Sequence, residues 1–437
     1  MLLLWTLLGC GTETLELESG DLVLMGARLA GESSPVDVVV SDGYITAMLE
    51  PGTEFVGGTQ VLAEGQVLAP GLIDTHVHIW DEGDLVLHPA RGVTTVRNLS
   101  GSALHLDWRE QLQTGERLGP RLLSSGPIVD GPDAYWPGSA IARDAQEGAE
   151  RVRDQHAAGY DLIKVYDALE LETWEGILAE AQRLGMPVAG HVPDAVGHEA
   201  VVASSQASIE HLDDFLAHVS GHSPGLSFSP DAGQAALADL DDARAMELAH
   251  VSAGDGVFYV PTLSVMSQYG QASSWDFDDP RLAAINPQVV QSWRQTQGYI
   301  SPESEAWFAD YSEALCGFVA TLDEAGASLA LGTDTYNAFV LPGWAVHEEM
   351  QAMVDCGLPI ERVLALATQD AAALLGQSGE LGVLAVGARA DILILDQDPV
   401  LDLQTLAEPA AVVLGGHYLS AEELAEAVQQ VEAGYAQ

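Results

Sequence analysis

Positive charge is what this chain lacks most. It holds 16 basic residues against 65 acidic ones, a formal net charge of −49. A surface of that sign makes nucleic acid and anionic membrane surfaces poor partners. Lysine is scarcer still: Lys164 is the single lysine, and the other basic residues are all arginine. Three cysteines, none in a C-x-x-C pair, exclude a disulfide framework. Long apolar runs are missing too, so no stretch reads as a transmembrane helix, which needs about 20 apolar residues. There is no internal repeat and no low-complexity segment. Apolar residues themselves are plentiful, 47% of 437, enough for one large core and a smaller second one.

The apolar start, Met1–Cys10, reads MLLLWTLLGC. It resembles the lipobox of bacterial lipoproteins, with Cys10 the lipidated residue, although no Lys or Arg precedes the apolar segment. The expectation is a signal and acidic tether over residues 1–20 and a place in the cell envelope or periplasm. The alternative is a cytoplasmic protein with a plain apolar N-terminus. A membrane would then be touched only through the lipid.

The most informative stretch is Val67–Trp80, VLAPGLIDTHVHIW. His76 and His78 stand two apart in an apolar run, so in a strand they share one face about 7 Å apart. Two imidazoles so placed supply half of a metal site. Further along, short apolar strands alternate with helical stretches, near Leu72–His78, Val93–Arg97, Arg121–Ser125, Leu162–Tyr166, Pro187–His191, Ser208–His211, Val257–Leu263 and Ser328–Asp334. That alternation predicts an α/β fold, a (β/α)8 barrel, with catalytic groups at the C-terminal strand ends. Short alternating strands in Asp21–Val61, with two more in Gly382–Asp396 and another at Ala411–Leu414, predict a small β-sandwich built from both chain ends. The domain boundaries read 21–69, 70–376 and 377–437, the last including a helix that starts at the Ser420/Glu423 capping box.

Lys164 lies inside the apolar strand DLIKVYD. An amine there can lose its proton and react, whereas a guanidinium cannot. A buried charged lysine without a partner is costly, which argues against accident. His191 ends PVAGHVP, His211 ends SIEHLDD, and Asp334 closes LALGTDT.

The run Pro70–His78 (PGxxDxHxH), followed by Lys164, His191, His211 and Asp334 in that order, resembles the amidohydrolase superfamily, nearest to its imidazolonepropionase-like and prolidase-like members. The resemblance implies metal-dependent hydrolysis on a TIM-type barrel. It implies a Lys164 carboxylated by CO2 and bridging two divalent ions. His76, His78 and Asp334 would hold one ion, His191 and His211 the other, with zinc the natural choice for such donors. Asp334 would move the proton of the attacking water, and Tyr166 would hydrogen-bond the scissile carbonyl. TVRNLSG at Thr95–Gly101 departs from the family's TVRDxGG by placing Asn98 where an acid is usual.

Trp136, in the loop Val129–Ser139 beside Tyr135, and Asn337, just past Asp334, are further candidate substrate contacts. Ser264–Trp307, with Tyr269, Trp275, Trp293 and Trp307, is a candidate helical lid. The other nine histidines read as structural, His198 least securely. The expected activity is cleavage of an amide or peptide C–N bond in a small molecule or short peptide, of dipeptidase or N-acyl amino acid hydrolase type. A one-metal cyclic amide hydrolase is the alternative within the family, and an inactive binding protein on the same barrel the alternative outside it. A homo-oligomer stays open.

Overall fold

The computed structural model describes residues 14–222, 230–253 and 256–436, so Cys10 lies outside the described residues. The middle of the chain supplies eight parallel strands: β1 (Leu72–Val77), β2 (Val93–Asn98), β3 (Arg121–Ser124), β4 (Ile163–Val165), β5 (Val188–Gly190), β6 (Ser208–Glu210), β7 (Phe258–Val260) and β8 (Ser328–Leu329). Each overlaps one expected segment. β1 and β2 are buried at every position, as strands covered on both faces must be. The intervening helices bury one stripe. Leu171–Leu184, for instance, buries Trp174, Ile177, Leu178 and Ala181 and stops at Gly185 in the left-handed region (φ 72).

The pairing does not form a continuous ring. β1–β2–β3 make one sheet, and β4 through β8 run in order in another, joined at single bridges between Ser125 and Leu162 and between Val77 and Thr335. Two short strands from the loop after β3, Val129–Asp130 and Ala140–Ile141, take the edge beside β4.

The two chain ends meet in one eight-stranded sheet. Its order is His417–Ser420, Ala411–Leu414, Ile392–Leu395, Val67–Pro70, Thr14–Leu29, Pro35–Ser41 and Tyr44–Leu49, with Glu54–Leu62 also paired to Thr14–Leu29. Regular pairing thus gives a single sheet where two stacked sheets were expected. One core unites Leu24, Val38 and Ile45 with Ile392 and Val413. Leu393, Leu395 and Val412 belong instead to the barrel core, which docks the two layers together. Gly382–Asp396 contributes one strand and not two. Gly382 (φ 70) and Gly387 (φ 93) turn the backbone out of the extended region, leaving only isolated pairs such as Ile45 N to Ala388 O. The helix Ala421–Tyr435 begins at the anticipated capping box, with Ser420 Oγ accepting from Glu423 N at 3.2 Å.

Cysteine scarcity excluded a framework but not a single bridge. Cys316 and Cys356 form a disulfide, Cα atoms 5.0 Å apart, that ties the helix Pro302–Ala325 to the end of the helix Trp344–Asp355. Among the described residues no helix is long and apolar enough to cross a membrane.

Candidate active site

The site lies at the C-terminal ends of the parallel strands. The alternation of β1 delivers His76 and His78 to one side, ring centroids 5.3 Å apart, with Nε2 atoms 3.3 and 3.0 Å from Asp334 Oδ1. His211, just past β6, brings its ring to 4.7 Å from His76 and 4.9 Å from His191, and its Nε2 to 3.9 Å from Asp334 Oδ2. One ligand atom each from His76, His211 and Asp334 lies within 4.8 Å of the others. The trio places His211, expected on the second ion, within reach of two residues expected on the first. Three residues that end strands here, His211 (φ 63), Thr262 (φ 48) and Asp334 (φ 55), sit in the left-handed region. Such backbone costs about 1–3 kcal/mol per residue and cannot continue a ladder. It also fits the end of β6 at Glu210 and of β7 at Val260, short of the apolar runs that contain them.

The second ring nitrogens are held from behind. His76 Nδ1 lies 2.8 Å from Glu210 Oε2, His211 Nδ1 2.7 Å from Thr262 Oγ1, and His191 Nδ1 2.8 Å from Asp167 Oδ1. Each arrangement leaves Nε2 to face the centre, the usual orientation of metal-binding imidazoles. Glu210 is itself fully buried and clasped by Arg97 Nη2 at 2.8 Å and by Ser208 Oγ. Asp74 accepts from Thr333 Oγ1 at 2.7 Å, stitching β1 to the chain beyond β8. None of these partners was singled out from sequence. The available signal was a charged residue inside each apolar strand, since Arg97 and Glu210 are tolerable there only as partners.

Electrostatics fit the same purpose. Burial pushes His211 well below its ordinary value and lowers His78, which favours the neutral imidazole that a metal ligand needs. Burial alone would raise Asp334, but His76 and His211 hold it well below the usual carboxylate range. Burial likewise brings the Lys164 amine down to about 8, against the pull of Glu210 and Asp334. Lys164 Nζ is buried without a hydrogen-bond partner, and the Nε2 atoms of His76 and His78 crowd one carboxylate oxygen, Asp334 Oδ1. A buried unbonded amine and ring nitrogens gathered on one carboxylate, backed by ordered partners, fit a divalent metal centre.

The candidate substrate contacts gather at the mouth. The Tyr166 ring lies 4.0 Å from His191, and its Oη accepts from Trp136 Nε1 at 2.9 Å. Asn337 Nδ2 donates to Asp334 Oδ2, and Tyr269 Oη donates to Asn337 Oδ1 at 3.4 Å. The remaining lid aromatics are packing residues. Trp293 is buried among Tyr336 and Phe339, Trp275 packs on Phe339 at 5.3 Å, and Trp307 stacks on Tyr311 at 5.0 Å. Asn98 is structural: its Oδ1 accepts from Ile79 N at 3.0 Å and its Nδ2 donates to Ser124 Oγ at 3.0 Å. His198 is buried against Tyr259 Oη at 2.9 Å.

Residues 67–419 match the model of the amidohydrolase family. Ochratoxinase from Aspergillus niger is 23% identical over 90% of this chain and 84% of its own length. Among solved structures, bottromycin amidohydrolase superposes with a TM-score of 0.80 at 27% identity, covering 96% of this chain and 91% of that one. A prolidase complexed with N-methylphosphonate-L-proline superposes at 0.67 with 20% identity, over 92% and 99%.

Proposed function

The chain belongs to the amidohydrolase family and is an enzyme of C–N bond hydrolysis; on that footing we propose that it cleaves an amide or short-peptide bond at a two-metal centre. We read its two parallel sheets as the family's (β/α)8 barrel. His76, His78 and Asp334 would hold one ion, His191 and His211 the other, and a carboxylated Lys164 would bridge them. Bound divalent ions, zinc by this imidazole and carboxylate donor set, supply an acidified water and polarise the scissile carbonyl. The chain's own groups do the rest. Asp334, kept ionised, takes the proton of the attacking water and delivers it to the leaving nitrogen, while Asn337 fixes its carboxylate. Tyr166, positioned by Trp136, donates to the carbonyl oxygen as charge develops there. Tyr135, Trp136 and Tyr269 shape the mouth for a small substrate.

The observation that carries this reading is the convergence of His76 Nε2 and His78 Nε2 on Asp334 Oδ1 together with the buried, unbonded Lys164 Nζ, with Glu210, Thr262 and Asp167 behind the imidazoles. Metal-loaded protein assayed against dipeptides and N-acyl amino acids tests it. Amine release is expected, abolished by Asp334→Ala. No hydrolysis across the panel with metal bound would refute it.

Location is a separate proposal. Cys10 as a lipid attachment site and the Cys316–Cys356 bridge both suit an oxidising envelope. Cys10→Ser should release the protein from membranes of a bacterial host, and a wild type already wholly unattached would count against it.

A further inference from the structure

Basic residues are so rare here that their distribution carries information. Four of the chain's arginines, Arg109, Arg117, Arg121 and Arg389, line one cleft of about 880 Å³. The cleft opens where the N-terminal ends of β3 and β4 meet the strands from the C-terminal part of the chain. That is the barrel face opposite the active site. Such a volume is typical of a small-molecule site.

The four are not equivalent. Arg109 is committed to Asp161 (2.7 Å) and to Gly159 O (2.9 Å). Arg117 is committed to Gln111 (2.9 Å) and to Glu82 (3.0 Å). Arg121 and Arg389 enter no ion pair among the described residues, although the chain has four acids for every base. Arg389 reaches only the Tyr44 hydroxyl at 3.3 Å and the face of that ring. The Nε atoms of both are buried without a hydrogen-bond partner. Both guanidinium groups line this one cleft; burial and the charge of Arg389 lower Arg121 below the ordinary arginine value, opposed by Asp391, Glu380 and Tyr44. Of the nearby acids, Asp391 spends Oδ1 on Gly415 N at 2.7 Å, and neither its Oδ2 nor Glu380 forms an ion pair with either guanidinium among the described residues. Repelling cations at a cleft wall are stabilised by an anion lying between them. Guanidinium is suited to this because its planar donor fork takes two oxygens of one oxyanion.

We propose that this cleft is a second ligand site, selective for a small multivalent oxyanion, phosphate-like or polycarboxylate, gripped between Arg121 and Arg389. The catalytic groups take no part in it. A ligand here would span the junction of the barrel and the end-built sheet, and would stabilise their docking by mass action.

Metal-loaded full-length protein titrated with inorganic phosphate and with citrate, each against chloride at matched ionic strength, tests the proposal. The readouts are calorimetry and thermal midpoint. Saturable binding of either anion is expected, weakened about tenfold or more by Arg121→Gln or Arg389→Gln, since each removes a charged hydrogen-bonding group. Arg121→Lys, which keeps the charge but not the fork, should fall between. Amide hydrolysis should be unchanged in all three. Phosphate binding of undiminished strength in Arg121→Gln and Arg389→Gln would place the anion elsewhere and overturn the proposal, as would no anion-specific binding by wild type. Tungstate soaked into wild-type crystals gives an answer that depends on no variant: an anomalous peak between Arg121 and Arg389 supports the site, and a cleft without one contradicts it.

Discussion

Glu210 Oε2 lies 2.8 Å from His76 Nδ1, and both side chains are fully buried. The carboxylate fixes which nitrogen of His76 faces the centre, and Arg97 in turn holds the carboxylate. Partners of this kind are worth about 10–100-fold in metal affinity. Glu210→Gln should weaken binding by that margin in chelator competition, with the fold retained because the amide is isosteric. Unchanged affinity would mean that the pair serves packing alone.

On the proposed mechanism Tyr166 acts on the substrate and not on the metals. Tyr166→Phe should keep full metal content and lower kcat by about 10²–10³-fold, the usual loss for one oxyanion-type donor. Trp136→Phe removes the 2.9 Å hydrogen bond to Tyr166 and should lower kcat by less. A Tyr166→Phe enzyme with a raised KM and an unaltered kcat would assign the tyrosine to binding only.

Glu349 supplies a pH signature away from the centre. Its carboxylate accepts from Leu263 N at 2.8 Å and from Ser264 N at 2.7 Å, capping the helix that follows β7. Burial pushes it from 4.5 up to about 7, so the folded state favours the protonated form. Its contribution to stability is therefore complete below about pH 4.5 and is lost as pH rises through about 7. Relative to wild type, Glu349→Gln should gain about 3 kcal/mol between about pH 5 and about pH 8 in denaturant unfolding. Parallel pH profiles for the two proteins would show that Glu349 is not perturbed.

The Cys316–Cys356 bridge closes a segment with a sequence separation of 40. Loop-closure entropy for that length corresponds to about 4 kcal/mol. Reduction, or replacement of both cysteines by serine, should lower the unfolding midpoint accordingly. Indifference to reductant would argue that the thiols are not joined in solution.

How much of this was legible beforehand depended on distance along the chain. His76 and His78 could be paired from their two-residue spacing, and the strand-end positions of His191, His211 and Asp334 followed from the rhythm of apolar runs. The partners Glu210, Thr262 and Asp167 could not, because each faces its histidine only once strands pair or strand-end residues turn inward. Trp293 and Trp307 misled because a lid aromatic and a core aromatic have the same helical spacing, and only the folded chain shows both as buried. The missing second strand of Gly382–Asp396 was hidden for a similar reason, since Gly382 and Gly387 interrupt a run that reads as strand by composition.

The most direct test of the account is the number of divalent ions per chain in fully active protein, prepared with bicarbonate and counted by elemental analysis for wild type, Lys164→Ala and Lys164→Arg. Two cations about 3.5–4 Å apart repel strongly and need an anionic bridge, which an amine cannot provide until it is carboxylated. The account predicts two ions in wild type, one or fewer in both variants with most activity lost, and partial recovery of Lys164→Ala by a small carboxylic acid. Full activity with one ion and an intact, unmodified Lys164 would contradict it.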